Sequence, residues 1–97
     1  MKDKIMLVEW HIKRYLQAKI LIESSISNIS QRPHVIDYYR YIQFAFDQLD
    51  EDSKMIIFND FMKKKNRNWY LELYSLSTYY RLRKIAILKF LDCLDGL

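Results

Sequence analysis

The sequence predicts an all-α protein: a small bundle of four to five helices in a single domain of residues 1–97. Three observations support this prediction. The 97 residues include one Gly and one Pro, which leaves almost no material for β-turns and hairpins. Hydrophobic residues make up 51% of the chain, enough for a core. These residues recur with the helical period along most of the chain.

The first helix is predicted over residues 3 to about 23. Leu7 and Trp10 widen an apolar face whose residues recur at near-helical spacing. Those residues are Ile5, Val8, Ile12, Tyr15, Leu16 and Ile20. The helix should end within residues 24–31, SSISNISQ, because hydroxyl and amide side chains compete for the backbone hydrogen bonds.

The second helix is predicted to open at Pro33, because the missing N–H of proline would have no partner in a first turn anyway. The stretch that follows has the clearest amphipathic pattern in the chain. Its apolar stripe consists of Val35, Tyr38, Tyr39, Ile42, Ala45, Phe46 and Leu49. We interpret the tyrosines of this stripe as core residues whose hydroxyls reach the surface.

The third helix is predicted to begin at the acidic sequence DEDSK, residues 50–54, with Asp50, Asp52 or Ser53 as its N-cap. Its apolar residues are Met55, Ile57, Phe58, Phe61 and Met62, and the basic residues Lys63, Lys64, Lys65 and Arg67 follow them. A short fourth helix is predicted over roughly residues 68–73. The last helix then runs to about residue 94.

The last helix divides into two parts on a helical wheel. The inward sector carries Tyr79, Leu82, Ala86, Phe90 and Cys93, whereas Arg81 and Lys84 lie on the opposite side. Its first turns are therefore polar, aromatic and positive, and its last turns are mostly core. A DNA-recognition helix is divided in this way, because its first turns meet base edges while its flank packs on the preceding helices.

The charge of the chain is concentrated in its second half. Residues 1–53 carry seven basic and eight acidic side chains, a net charge of −1, whereas residues 54–97 carry nine basic and four acidic ones, a net charge of +5. Such asymmetry between halves is typical of contact with nucleic acid or a membrane surface. We divide the domain into an N-terminal helix and linker, residues 1–30, and a helix-turn-helix-like core, residues 35–94.

The run SLSTYYRLRKIAI, residues 75–87, resembles the recognition helix of a known family. It is similar to region four of bacterial sigma factors and, more closely, to phage late-gene transcriptional regulators of the ArpU and RinA type. QFAFDQLDEDSKMIIFNDFM, residues 43–62, resembles the helix pair that precedes that helix. In the family the turn normally holds a Gly, where this chain has WYLELY. The similarity extends over about residues 35–94.

This resemblance implies a sigma-like helix-turn-helix at the C-terminal end and binding to duplex DNA. By position, the residues that would face DNA are Ser77, Thr78, Tyr80, Arg81 and Lys84, and those that would contact its backbone are Lys63, Lys64, Lys65 and Arg67. Two serines are candidates for the N-cap of the recognition helix. Alignment from upstream gives Ser77, and alignment from downstream gives Ser75.

Two functions are compatible with these patterns. The first is a transcriptional regulator derived from a phage or mobile element that binds duplex DNA. Its first helix would then contact a second copy in a homodimer or RNA polymerase, or would simply complete the core. The second is a small helical protein-interaction module or inhibitor that acts on a protein partner without binding DNA.

The remaining residues give no indication of an enzyme or a cofactor. No nucleophile, base and orienting group occur in a recognisable arrangement, and there is no glycine-rich phosphate loop. His11 and His34 lack partners at metal-ligand spacing, and the acidic residues 50–53 fit a helix cap better than a calcium loop. Cys93 is the single cysteine, so we expect a reducing, cytoplasmic location, and no apolar run suggests a membrane span or signal peptide.

Overall fold

The structure is a computed structural model that describes residues 1–24, 33–64, 66 and 68–95. These ranges contain the four α-helices α1 (Lys2–Ser24), α2 (Pro33–Asp47), α3 (Glu51–Ile57) and α4 (Leu76–Asp95). A π-helical turn, Phe58–Met62, extends α3, and a 3-10 turn, Trp69–Glu72, precedes α4. No strand occurs in the described ranges, so the predicted all-α class is confirmed. The predicted break in residues 24–31 falls mostly outside them.

Helix α1 forms one wall of the core and packs against α2, α4 and the π-helical turn. Val8, Ile12 and Tyr15 are buried, as their spacing predicts, and Ala18 is buried with them. Ile20, expected on the same face, is instead 63% exposed. Eight residues beyond Ile12, the helix has turned about 80° past two full turns, which rotates this side chain away from the core.

Helix α2 opens at Pro33 as predicted and buries Ile42 and Ala45. Its tyrosines are half-buried against the core, and the hydroxyls of Tyr38 and Tyr41 contact neighbouring helices. The Tyr41 hydroxyl donates to the backbone oxygen of Leu94 at 2.6 Å. The Tyr38 hydroxyl lies 2.8 Å from Nδ1 of His11. These rings therefore combine apolar burial with a satisfied polar end, as buried tyrosines usually do.

Helix α3 is capped by Asp50, one of the three residues predicted for this role. Its carboxylate accepts from the Ser53 amide at 3.3 Å, and the Lys89 ammonium donates to its other oxygen at 2.9 Å. The bond from Lys89, followed by that from Ser53, lowers the pKa of Asp50 from its usual 3.8 to about 2. Asp50 thus holds the start of α3 to the middle of α4.

We expect Asp50→Ala to lower the free energy of unfolding by about 1 kcal/mol, because it removes the N-cap. Asp50→Asn should cost less at pH 7, since asparagine is an equally good cap and the exposed ion pair adds little. Because the pKa of Asp50 is lower in the folded than in the unfolded protein, its carboxylate stabilises the fold at pH values above the unfolded-state pKa. This stabilisation is lost as pH falls from about 4 to about 2. Urea denaturation from pH 5 to pH 2 should therefore bring wild type and Asp50→Asn together. Equal stability of Asp50→Ala and wild type at pH 7 would contradict the assignment.

The chain leaves α3 through a turn that the helical pattern did not predict. The Lys63 amide donates to the Phe58 oxygen at 2.8 Å, five residues back, so the regular α-helix predicted to continue through Met62 becomes a π-helical turn. Lys64 then has φ 49°, a left-handed conformation that Gly or Asn usually adopts at a helix end. The fourth helix predicted over residues 68–73 is only a 3-10 turn, so the described bundle has four α-helices.

Candidate nucleic-acid interface

The start of α4 is set by Ser75. Its hydroxyl oxygen accepts from the Thr78 amide at 3.3 Å, which satisfies one of the free N–H groups of the first turn. The same hydroxyl donates to Thr78 Oγ1 at 2.9 Å. Of the two serines that the sequence left open, Ser75 is therefore the cap, and Ser77 lies inside the first turn.

The residues predicted to face DNA lie on the solvent side of α4. Ser77, Tyr80, Arg81 and Lys84 are exposed. Ser77, Arg81 and Lys84 follow an i, i+4, i+7 spacing and share one helical face. Thr78 is half-buried, and its hydroxyl accepts from Ser75, so the Thr78 proton remains free to donate.

The second half of α4 is fixed in the core. Ala86, Ile87 and Phe90 are fully buried, and they belong to one apolar cluster with residues of the other three helices. The helix thus has a solvated, positive beginning and a buried continuation, which is the division that its sequence predicts.

The basic run before the turn is only partly described. Lys63 and Lys64 are exposed, whereas Lys65 and Arg67 lie outside the described residues. Lys64 lines an open cleft of about 600 Å³ between the π-helical turn and the beginning of α4. The other lining residues are Asp60, Asn68, Tyr70, Tyr79, Tyr80 and Arg83. The structure therefore places one predicted backbone contact, Lys64, beside one predicted DNA-facing residue, Tyr80.

Asp60 lies in this cleft and joins three elements. Its Oδ1 accepts from Trp69 Nε1 at 2.7 Å, and its Oδ2 accepts from the Tyr79 hydroxyl and from Arg83 Nε at 3.1 Å. The side chains of Arg83 and Asp60 are only 22% and 13% exposed. A charge-assisted bond of low exposure is stronger than a surface pair, so Asp60 fastens both the 3-10 turn and the start of α4 to the π-helical turn.

Aromatic stacking reinforces this attachment. The rings of Tyr70 and Tyr79 are parallel, with centroids 3.7 Å apart, and Trp69 meets Tyr79 edge-on at 6.0 Å. Burial and the bond to Asp60 raise the pKa of Tyr79 above its ordinary value of 10, so its hydroxyl remains a donor even in mildly alkaline solution. The Tyr74 hydroxyl donates to Asp52 Oδ1 at 2.5 Å and ties the end of the turn to α3. Bulky aromatic rings thus fill the space between the 3-10 turn and the start of α4.

The sequence alone did not single out Asp60. A signal was nevertheless present, because Asp60 is the one acidic residue between Asp52 and Glu72, in the middle of an apolar stretch. Its partners lie 9, 19 and 23 residues further along the chain. No local pattern indicates which of the later polar groups would meet it.

Ion pairing divides the cations of this region into two classes. In the described ranges, the ion pairs engage Arg83, with Asp60, and Lys89, with Asp50. Arg81, Lys84, Lys63 and Lys64 have no such partner there and are exposed. In this region, the positive charge available to an external anion therefore lies at the start of α4 and at the adjoining turn.

Comparison of the chain with protein-family models, with curated proteins and with solved structures finds no match. Within the described ranges, no group of His, Cys, Asp and Glu side chains could hold a metal ion. The helices described there are also too short or too polar to cross a membrane.

Proposed function

We propose that this protein is a DNA-binding transcriptional regulator that applies the first turns of α4 to duplex DNA. The observation that carries the proposal is the set of unpaired, exposed cations Arg81 and Lys84 on one face of a helix whose second half is buried. A recognition helix needs both features: side chains free to enter the major groove, and a rigid attachment to the rest of the domain. The resemblance to phage late-gene regulators supports the same assignment.

The residues of the proposed interface have different roles. Arg81 is suited to guanine, whose two major-groove acceptors match the guanidinium, while Ser77 and Thr78 can reach base edges or phosphates. Lys63 and Lys64 would contact the backbone, as would Lys65 and Arg67 by their position in the sequence. A lysine at a left-handed position costs about 1 kcal/mol relative to Gly. Lys64 places a cation at that position, beside the cleft.

A domain with so few cations would bind DNA weakly by itself, since affinity depends on the number of phosphates that are neutralised. A second DNA-bound copy or RNA polymerase would supply the missing affinity. The proposed regulator therefore acts as part of a larger assembly on the promoter.

We expect the double variant Arg81→Ala, Lys84→Ala to lose about tenfold or more in affinity for an AT-rich duplex in low salt, with unchanged helical circular dichroism. Fluorescence anisotropy of a labelled duplex measures the affinity. Lys63→Ala, Lys64→Ala should bind more weakly on every sequence and reduce the slope of log K against log salt by about 2.

The matched control is Lys4→Ala, Arg40→Ala, which removes the same charge from exposed positions on α1 and α2. It should bind nearly as well as wild type. If the control loses as much affinity as Arg81→Ala, Lys84→Ala, binding reflects net charge alone. Absence of any binding by wild type in low salt would overturn the proposal.

A second candidate, a module that binds a protein partner without contacting DNA, is favoured by a different observation. Leu71, Leu73 and Leu76 are each more than half exposed at the turn before α4 and in its first turn, beside the exposed Tyr80. A cluster of this kind is typical of protein–protein contact. Under this alternative, Leu73→Ser would abolish binding to the partner, and wild type would not bind duplex DNA.

A further inference from the structure

Helix α1 carries an apolar strip on the side opposite its core face. Met6, Leu7 and Trp10 are 58%, 45% and 51% exposed, although Val8 and Ile12 on the other side are fully buried. Trp10 lies four positions after Met6 and three after Leu7, so the three side chains form a continuous patch near the beginning of the helix. Soluble domains seldom leave such a patch uncovered without a partner for it.

Opposite charges flank the strip at its two ends. Asp3 lies one turn before Met6, and Arg14 lies one turn after Trp10; both are exposed, and neither forms an ion pair in the described ranges. On a helical wheel Asp3, Leu7, Trp10 and Arg14 fall within a sector of about 60°, with Asp3 and Arg14 between Trp10 and Leu7. The order along this sector is therefore acid, apolar patch, base.

This order is complementary to its own reverse. Two helices that pack antiparallel about a two-fold axis pair contact-face residues whose numbers have a constant sum. The residue numbers of Asp3 and Arg14 sum to 17, as do those of Leu7 and Trp10. One register therefore forms two Asp3–Arg14 ion pairs and buries the apolar strip of both copies. We propose that α1 pairs with α1 of a second copy in this antiparallel register to form a homodimer.

Arg14 is held in place for such a contact before the partner arrives. Its guanidinium carbon lies 4.7 Å from the centre of the Trp10 ring and 4.5 Å from that of Tyr38. A guanidinium that lies over ring faces keeps the N–H groups at its edges available to a carboxylate. An ordered side chain loses less entropy on association, which favours a partner that presents a carboxylate at this position.

The expected dimer is weak and does not depend on DNA binding. Three half-exposed side chains per copy form a smaller contact than the roughly 800 Å² per partner of a typical stable complex, so we expect a Kd of about 10–100 µM. Sedimentation velocity without DNA, over 5 µM to 1 mM protein, measures it. The average mass should rise from 12.0 kDa toward twice that value.

The variants test both the surface and the register. Trp10→Ala should remain monomeric across this range, whereas Ile20→Ala, at the exposed far end of the same helix, should dimerise like wild type. Asp3→Arg and Arg14→Asp should each raise the Kd about tenfold or more, and the combination of the two should restore it.

Each result has a defined meaning. A monomeric wild type at 1 mM, or equal Kd values for Trp10→Ala and Ile20→Ala, would overturn the dimer. Failure of the double charge reversal to restore association, when Asp3→Arg alone weakens it, would overturn the antiparallel register. Circular dichroism identifies a variant that fails to fold. If Arg14→Asp fails to fold, the Kd values of Asp3→Arg and Trp10→Ala still test the dimer. DNA binding is measured separately, so failure of either proposal leaves the other standing.

Discussion

Replacing Asp60 with alanine is expected to lower the free energy of unfolding by about 3 kcal/mol. The substitution leaves the mostly buried guanidinium of Arg83 without its counter-ion and removes the acceptor of the Tyr79 hydroxyl and of the Trp69 indole. Loss of one partner from a pair of low exposure is costly, because the remaining charge has exchanged water for that partner.

The expected change is also local. Asp60 is the residue that attaches the 3-10 turn and the start of α4 to the π-helical turn. In Asp60→Ala we therefore expect faster amide hydrogen exchange in residues 76–81 than in wild type. The buried residues 86–94 should keep most of their relative protection, because apolar packing holds them.

Urea denaturation measures the global effect, and two variants calibrate it. Asp60→Asn keeps one acceptor oxygen but loses the charge, so its stability should lie between those of wild type and Asp60→Ala. Asp92→Ala removes an exposed carboxylate from α4, for which we expect a change within about 0.5 kcal/mol. If Asp60→Ala and Asp92→Ala were equally stable, the three bonds to Asp60 would contribute nothing to the fold.

The parts of the fold that follow from local sequence were predictable. The Pro33 start of α2, the Asp50 cap of α3 and the apolar stripes of α1 and α4 depend on residues within a few positions of one another. The exposed position of Arg81 follows from the helical period once the buried Tyr79 and Phe90 are assigned to the core. Ile20 was predicted to be buried but is exposed, because an apolar stripe longer than three turns gradually rotates away from the core on which the helix packs.

The parts that depend on tertiary contact were not predictable. The π-helical turn and the left-handed Lys64 arise where α3 must stop and redirect the chain toward α4, and no Gly or Pro in the sequence marks this point. Asp60 gains its role only when Trp69, Tyr79 and Arg83 are brought to it. The unusual turn and the Asp60 contacts lie next to the proposed interface. Conformations that local sequence does not predict are expected mainly at functional sites.

Phe90→Ala is expected to lower the free energy of unfolding by about 4 kcal/mol, a large fraction of the stability of a domain of this size. Phe90 is the largest of the fully buried side chains, and the same cluster holds Ile12 of α1, Ile42 of α2 and Ile56 of α3. Its removal opens a cavity where four helices meet, and helices fixed by caps and hydrogen bonds cannot fully close it.

The matched control is Tyr80→Ala, which also truncates an aromatic residue of α4 but at a position 57% exposed. We expect a change within about 0.5 kcal/mol for this variant, together with reduced affinity for duplex DNA. Urea denaturation of the two proteins therefore tests the division of α4 on which the proposed function depends. Comparable destabilisation by the two substitutions would mean that the first turns of α4 are part of the core, and a helix of that kind has no free face to place in a groove.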